Sequence, residues 1–257
     1  MSLRTATALA ALLAATPALA DPPPPAGAAI IVVDGTSNAY GYALPGQGTP
    51  PPYRGSIWNC SWWNGNMDDG RCDWVNPARE PIHEMANGRG HGAAMYMASK
   101  MISLGKASKV AIVPCGRGGG LGTRLPGSQP WTSCNARISR AVAAGGTIAA
   151  ILWAPGANDA NKSADAAAYR DRLQIIADAY RARWGQVPIV MLRVGPKPAS
   201  SSACCWEQVR QAQADFVAAN LWAYTVEAEP LPKQDDGRHL TVGGYRLFGE
   251  QAAAVLP

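Results

Sequence analysis

His239 is the histidine in this 257-residue chain best placed for chemistry. A carboxylate lies three residues ahead of it in a glycine-containing turn, Asp235-Asp236-Gly237-Arg238-His239-Leu240. At that spacing Asp236 can accept from one ring nitrogen, which fixes the tautomer and leaves the other nitrogen free as a base. Such a base acts on a hydroxyl, and Ser37 is the matching candidate. It lies in Gly35-Thr36-Ser37-Asn38, directly after the apolar run Ala28-Ala29-Ile30-Ile31-Val32-Val33. A glycine turn at the exit of a buried strand can project the hydroxyl over the sheet edge. Each motif alone also has a plain reading, Asp236 as a cap before a helix and Ser37-Asn38 as an ordinary turn. His83, after Pro81-Ile82, and His91, in Gly88-Arg89-Gly90-His91-Gly92, read as packing or surface residues.

A serine that attacks a carbonyl builds negative charge on its oxygen, and donors must wait where that charge forms. Two segments can supply them. Gly116-Arg117-Gly118-Gly119-Gly120 offers backbone N–H groups, and Gly156-Ala157-Asn158-Asp159 offers a side-chain amide. The plain readings are a flexible glycine loop and a common turn. No G-x-S-x-G elbow occurs, which disfavours the α/β-hydrolase architecture. The glycine run is not followed by Gly-Lys-Ser/Thr, so it is not a phosphate-binding loop.

These residues need a scaffold, and the apolar pattern describes one. Continuous apolar runs at Ala28–Val33, Val110–Val113, Ile148–Trp153, Val187–Val194 and Leu221–Val226 read as strands buried on both faces. Stretches of helical period fall between and after them, at about Gly92–Leu104, Ala136–Ala144, Ser163–Trp184, Glu207–Ala219 and Val242–Val255. Ser163 is placed as an N-cap and Gly185 as a stop. Alternating strands and helices imply βαβ units. The expected fold is an α/β, three-layer α/β/α sandwich with a mostly parallel five-stranded sheet, flavodoxin-like. Residues 28–257 form one domain in this reading. Gly35–Gly90 and Pro114–Ser133 are long loops leaving the carboxyl ends of strands, where open α/β sheets build their sites.

Taken together, the four blocks resemble the SGNH (GDSL-type) hydrolase superfamily: Ser after strand one, Gly after strand two, Gly-x-Asn-Asp after strand three, and Asp-x-x-His before the last helix. Gly35-Thr36-Ser37-Asn38 resembles the GQSN form, and Ile112-Val113-Pro114-Cys115-Gly116-Arg117-Gly118-Gly119 the IPCxxGG form. Both occur in the sialate O-acetylesterase-like branch, which includes carbohydrate esterase family six. Gly88–Gly92 resembles that branch's segment before a helix, which makes His91 structural. The resemblance implies Ser37 as nucleophile, His239 as general base and then acid, and Asp236 as its orienting carboxylate. It implies an oxyanion hole of the Ser37 N–H, the Gly118 N–H and the Asn158 side chain, with Gly118 preferred to Gly119 by distance from the strand. Pro155-Gly156-Ala157-Asn158-Asp159 departs from the Gln-Gly-Glu often found at the third block of the carbohydrate branch. The implied activity is hydrolysis of an ester, an acetyl group on a carbohydrate, through an acyl-serine. The alternatives are a catalytically silent carbohydrate-binding protein on the same fold, and a lipase or thioesterase of the superfamily.

Residues 1–20 read as a signal peptide: Arg4, an apolar run from Thr5 to Ala15, and a small-residue site ending at Ala20. Cleavage there predicts a secreted or periplasmic product, with a proline-rich leader over residues 21–27. All six cysteines lie beyond it, and an even count in an oxidising compartment predicts disulfides. Loop locality pairs Cys60 with Cys72 and Cys115 with Cys134; the adjacent Cys204 and Cys205 either form a vicinal bridge or stay reduced. The formal charge of +5 is scattered without a basic run, which argues against nucleic acid. Asn64, Asn66 and Asp68 alternate like a calcium loop, but the glycine is misplaced and no closing glutamate follows, so neither metal nor cofactor is expected. No further stretch is apolar enough for a membrane span. Trp58, Trp62, Trp63 and Trp74 either stack on sugar rings or form a small core under a disulfide-closed loop.

Overall fold

A computed structural model of the protein describes residue 24 and residues 26–44, 46–61, 70–83 and 90–257. The expected signal peptide, most of the proline-rich leader, Trp62, Trp63 and the Asn64–Asp68 stretch lie outside the described residues.

Seven strands form one sheet in the order β3-β2-β4-β1-β5-β6-β7. They are β1 (Ala29–Gly35), β2 (Ile57–Ser61), β3 (Asp73–Val75), β4 (Val110–Pro114), β5 (Thr147–Ala154), β6 (Ile189–Arg193) and β7 (Ala223–Glu227). All neighbours pair in parallel except β3, which runs antiparallel to β2. The sheet thus has two strands more than the five expected. Both additions come from the loop after β1 and are short strands without an apolar run, with β3 at the edge and β2 beside it. The Cys60–Cys72 disulfide ties them together, and Cys60 pairs with Trp74 in the ladder.

The helices cover both faces, as the buried strands require. They are α1 (Ser37–Tyr40), α2 (Ala94–Ser103), α3 (Gln129–Ala143), α4 (Ser163–Ala167), α5 (Tyr169–Trp184), α6 (Trp206–Ala219) and α7 (Val242–Val255). Ile30 and Val32 of β1 join a core with Ile138, Tyr180 and Phe216 from α3, α5 and α6. Ile31 and Val33 point the other way, into a core with Met97, Tyr245 and Phe248 from α2 and α7. That alternation is the period of a pleated strand, and it makes β1 apolar on both sides.

Three local expectations shift. Helix α3 begins at Gln129 rather than near Ala136, because Ser128 accepts from the Trp131 N–H at 3.4 Å and Pro130 occupies the first turn. The long helix expected from Ser163 is divided at Ala168, and the capping position is Lys162, with Ser163 already helical. Gly185 does end α5, at φ 85° with its N–H on Arg181 O. Trp74 is buried and Trp58 half-buried against the same core, so these two pack beneath the disulfide-closed hairpin.

Helices α2 and α7 cross so closely that a Cβ on Gly249 would lie 2.4 Å from Ala93 O and 2.7 Å from Met97 N. Alanine in place of a helical glycine ordinarily gains about 1 kcal/mol. Here overpacking against backbone costs roughly 1–3 kcal/mol. Gly249→Ala is therefore expected to lower Tm, whereas Gly243→Ala, whose Cβ would meet only Thr241 Oγ1 at 3.7 Å, is not. Calorimetric melts of the two variants decide it, and a Gly249→Ala protein as stable as the parent would refute the close-packing account.

Candidate active site

Strand β1 lies in the middle of the sheet, and the chain continues to β4 on one side and to β5 on the other. The reversal opens a crevice at the carboxyl ends of these strands. Gly35 ends β1 at φ 122°, and a Cβ there would fall 2.5 Å from Ala154 O at the end of β5. Only glycine allows that approach. The Thr36 N–H then bonds Ala154 O at 2.9 Å, and Ser37 begins α1.

From the other end of the chain comes the turn before α7. The Asp236 carboxylate accepts the Arg238 and His239 N–H groups through Oδ1, each at 2.9 Å. Its Oδ2 lies 2.5 Å from His239 Nδ1. His239 Nε2 lies 2.8 Å from Ser37 Oγ. An ionised carboxylate can only accept, so Nδ1 carries the proton and Nε2 accepts from the serine. Partial burial pushes the Asp236 carboxyl up, but the N–H bonds from His239 and Arg238 and the imidazole outweigh it and hold it below its ordinary value. The Tyr42 ring stacks on the imidazole, with centroids 3.7 Å apart and planes 15° apart.

Asn38, next to Ser37, clamps this turn on both sides of the histidine. Its Nδ2 donates to Arg238 O at 3.1 Å, while its Oδ1 accepts from Leu240 N–H at 3.2 Å and from the Tyr245 hydroxyl at 2.9 Å. Tyr245 also receives the Tyr42 N–H at 2.9 Å, which fixes the stacked ring's backbone. Gln234 joins the same frame, donating its amide to Tyr42 O at 3.3 Å and Leu240 O at 2.9 Å.

Asn158 reaches the same turn from the exit of β5. Its Oδ1 accepts from Arg238 Nη2 at 3.0 Å and its Nδ2 donates to Gly119 O at 3.3 Å, which orients the amide. Asp159 beside it is buried and accepts the Leu121 N–H at 2.8 Å; desolvation raises its pKa to about 6. Gly118 is exposed, between Arg117, whose N–H bonds Gly35 O at 2.9 Å, and Gly119, whose carbonyl holds Asn158. Ser37, Asp236 and His239 are thus brought together by direct bonds, and Asn158 through Arg238. Gly118 sits in the adjoining loop without a hydrogen bond to them.

Beneath the crevice lies a buried ion pair that the sequence did not announce. Arg124 Nη1 meets Asp34 Oδ1 at 2.5 Å and Cys115 O at 3.3 Å, and its Nη2 donates to Gly35 O and Arg117 O. The Tyr180 hydroxyl donates to Asp34 Oδ2 at 2.9 Å. His83 adds a second tie. Its Nε2 accepts the Gly116 N–H at 3.0 Å, and its other nitrogen bonds the Val33 backbone. Burial first, then Arg137 and Arg124, lowers its pKa to about 3, so it is neutral. His91 bonds the Tyr96 hydroxyl at 3.0 Å, in keeping with a packing role. Arg124, Tyr42, Arg238 and Gln234 carried no motif, since each matters only through contacts distant in sequence. Among the described residues no group of three or more His, Cys, Asp or Glu side chains could hold a metal ion.

Residues 28–256 match the family described as carbohydrate esterase, sialic acid-specific acetylesterase. A probable carbohydrate esterase of Arabidopsis thaliana is 27% identical over 180 residues, which are 67% of this chain and 66% of that protein. The solved structure of the Arabidopsis protein from the same locus superposes with a TM-score of 0.75 at 23% identity, covering 91% of this chain and 98% of that one. The crystal structure of NanS superposes at 0.63 with 16% identity, over 90% and 97% of the two chains. These likenesses show an SGNH hydrolase-like fold.

The neutral His83 makes acid stability testable. With a folded pKa of about 3 and an unfolded value near 6.5, the unfolded chain binds one more proton between these pH values. The residue's contribution is complete above about pH 6.5 and is lost as pH falls, at up to about 1.4 kcal/mol per pH unit. His83→Asn removes the titration. Denaturant unfolding at pH 7.5, 6 and 4.5 should give a shallower decline for the variant than for the parent. Equal slopes would refute the assignment.

Proposed function

This chain belongs to the sialic acid-specific acetylesterase family of carbohydrate esterases, and from that premise we propose that it is a carboxylic ester hydrolase that removes O-acetyl groups from carbohydrates through an acyl-Ser37 intermediate. The observation that carries the reading is the continuous hydrogen-bonded chain from Ser37 Oγ through His239 to Asp236, with separations of 2.8 and 2.5 Å.

In the proposed mechanism His239 Nε2 takes the Ser37 proton as Oγ adds to the acetyl carbonyl carbon. The imidazolium that forms is held by Asp236. The carbonyl oxygen becomes an oxyanion, and three donors are available to it: the Ser37 N–H, the Gly118 N–H and the second Nδ2 hydrogen of Asn158. Neither backbone N–H donates to another described residue. His239 returns its proton to the sugar oxygen as the C–O bond breaks, which releases the alcohol and leaves acetyl-Ser37. Water then adds to the acetyl-enzyme with His239 again as base, and acetate leaves as Ser37 regains its proton. Arg238 matters here through Asn158, because accepting at Oδ1 prevents the amide from turning its oxygen toward the developing negative charge.

We place residues 28–257 as the catalytic unit and residues 1–20 as an export signal cleaved after Ala20. All six cysteines are paired, as Cys60–Cys72, Cys115–Cys134 and Cys204–Cys205, which fits an oxidising compartment.

Turnover of p-nitrophenyl acetate by the parent and by Ser37→Ala tests the chemistry. The parent should be active and the serine variant should lose essentially all of it. Asn158→Ala should lower kcat by about 10²–10³-fold with the fold intact, the effect of removing one oxyanion donor. An inert parent would leave the silent binding protein as the reading. Across a series from acetyl to octanoyl esters the acetyl ester should be fastest, and faster octanoyl cleavage would point to a lipase instead.

A further inference from the structure

A cleft of about 530 Å³, separate from the crevice at Ser37, lies between α2 and α7. Tyr96, Ser99 and Lys100 face it from α2, Arg246 and Glu250 from α7, and the segment Pro50-Pro51-Pro52-Tyr53 closes one side. Tyr53 is the only described residue other than glycine with a positive φ, at 63°, and its ring is 50% exposed. A tyrosine held in the left-handed region costs of order 1 kcal/mol or more and persists only where its surroundings impose it. Here three consecutive prolines, each with φ restricted by its ring, hold an aromatic side chain at the lip of a cleft.

The charges in and beside this cleft are mostly of one sign. Lys100 has no partner among the described residues. Arg246 is 59% exposed, with Glu250 as its partner only at 3.9 Å. A second hollow of about 190 Å³ shares Pro50, Pro51 and Tyr96 with the first and adds Arg54 and Arg79. Its one carboxyl, Glu80, accepts the Ile82 N–H at 3.1 Å and the Gly92 N–H at 3.4 Å, and desolvation raises its pKa to about 8. Near neutral pH the protonated Glu80 adds no negative charge, which leaves Glu250 as the other carboxyl group beside Lys100, Arg246, Arg54 and Arg79.

The cleft reaches the start of α7, three residues beyond His239. Val242 lines it and lines a third hollow of about 370 Å³, with Gln47, Gln234, Asp235 and Thr241. The Gln234 N–H bonds His239 O at 2.8 Å, and its side-chain amide bonds Tyr42 O, behind the stacked ring. The two hollows therefore meet at Val242, and Arg246 lies one helical turn, about 5.4 Å, farther along α7. The third hollow is lined by Asp235 and neutral amides, whereas Lys100 and Arg246 line the α2–α7 cleft.

We propose that the α2–α7 cleft is a subsite for the distal residues of a carboxylate-bearing oligosaccharide whose acetylated sugar lies at Ser37. The proposal rests on the esterase reading and names its substrate class as acidic glycan chains rather than single sugars. Tyrosine faces suit the C–H faces of sugar rings, being apolar across the ring and polar at the tip. Ser99, Ser103 and Thr49 offer hydroxyls. Arg246 and Lys100 offer the cations that bind carboxylates, the first with a bidentate fork and the second as a point charge. Val242 is the cleft's single branched aliphatic side chain, which does not suit an acyl chain.

The experiment compares an O-acetylated oligouronide, an O-acetylated neutral oligosaccharide of the same length and p-nitrophenyl acetate, on the parent, Lys100→Glu/Arg246→Glu and Tyr53→Gly. Glycine adopts the left-handed conformation freely, so the last variant removes the ring without adding strain. The ratio of kcat/KM on the oligouronide to that on p-nitrophenyl acetate should fall by about tenfold in the double variant, through KM, the scale of two exposed charge contacts. The parent's preference for the oligouronide should weaken as salt rises from about 0.01 to 1 M, where the Debye length shrinks from about 30 to 3 Å. An unchanged ratio, or an equal fall on the neutral oligosaccharide, overturns the proposal. If every ester is inert, the esterase reading has failed instead, and calorimetry with the deacetylated oligouronide decides the cleft. Binding by the parent that the double variant loses supports the subsite; no binding overturns it.

Discussion

The Asp34–Arg124 ion pair is the contact on which the arrangement at the crevice depends. Asp34 is the penultimate residue of β1, and Arg124 stands in the turn that closes the glycine-rich loop after β4. Both side chains are about 95% buried. Two charges in such a place are tolerated only if nearly every donor and acceptor is satisfied. The guanidinium bonds the Asp34 carboxylate and the carbonyls of Gly35, Cys115 and Arg117, and the carboxylate also takes the Gly35 N–H and the Tyr180 hydroxyl. Taking away one partner would strand the other, which typically costs about 3–5 kcal/mol. The more important consequence is geometric. The same guanidinium grips the residue two before Ser37 and the residue before Gly118, so the Ser37 turn and the glycine loop behave as one piece.

His239 arrives on a different piece, 202 residues after Ser37. His239 and Asp236 form a local unit, since Asp236 closes its own turn by accepting two N–H groups before it meets the imidazole. What must be set from outside is the placement of that turn over Ser37. Asn38 does this by bonding the backbone on either side of His239, and Tyr245 buttresses Asn38 from α7. Arg238 then extends the constraint to Asn158 at the exit of β5. Three strand exits and one helix N-terminus are thereby locked by bonds that share few members. Errors in one contact are not passed directly to the others.

This division explains what the sequence could and could not reveal. Ser37, Asp236, His239 and Asn158 lie at fixed offsets from strand ends or turns, and local spacing carries that information. The parallel strands were legible for a related reason: burial on both faces makes each a run of apolar residues. β2 and β3 were not, because an edge hairpin held by a disulfide needs no such run, and its Trp, Asn and Cys resemble a loop. Arg124 and Tyr42 were invisible because nothing near them in sequence betrays their partners. Arg124 finds Asp34 across 90 residues, and Tyr42 lies on an imidazole from the other end of the chain. His83 was read as a packing or surface residue, and its burial makes it the former. Its tie between the β1 backbone and Gly116 depends on the fold.

The disulfides complete the argument about rigidity. Nearly every group that would touch substrate sits on a loop, and loops lose the most conformational freedom when fixed. Cys115 stands at the start of the glycine loop and is tied to Cys134 in α3, 19 residues on; Cys60–Cys72 closes the β2–β3 hairpin across 12. In the chain-entropy account, loops of this size contribute about 3 kcal/mol each by restricting the unfolded chain. Cys204 and Cys205 add little by that measure, being adjacent. Their importance is local: the Cys205 N–H bonds Ala160 O at 3.1 Å, two residues from Asn158. Bridges of both kinds therefore border the segments that carry Gly118 and Asn158. A crevice of this construction keeps its shape where thiols stay oxidised.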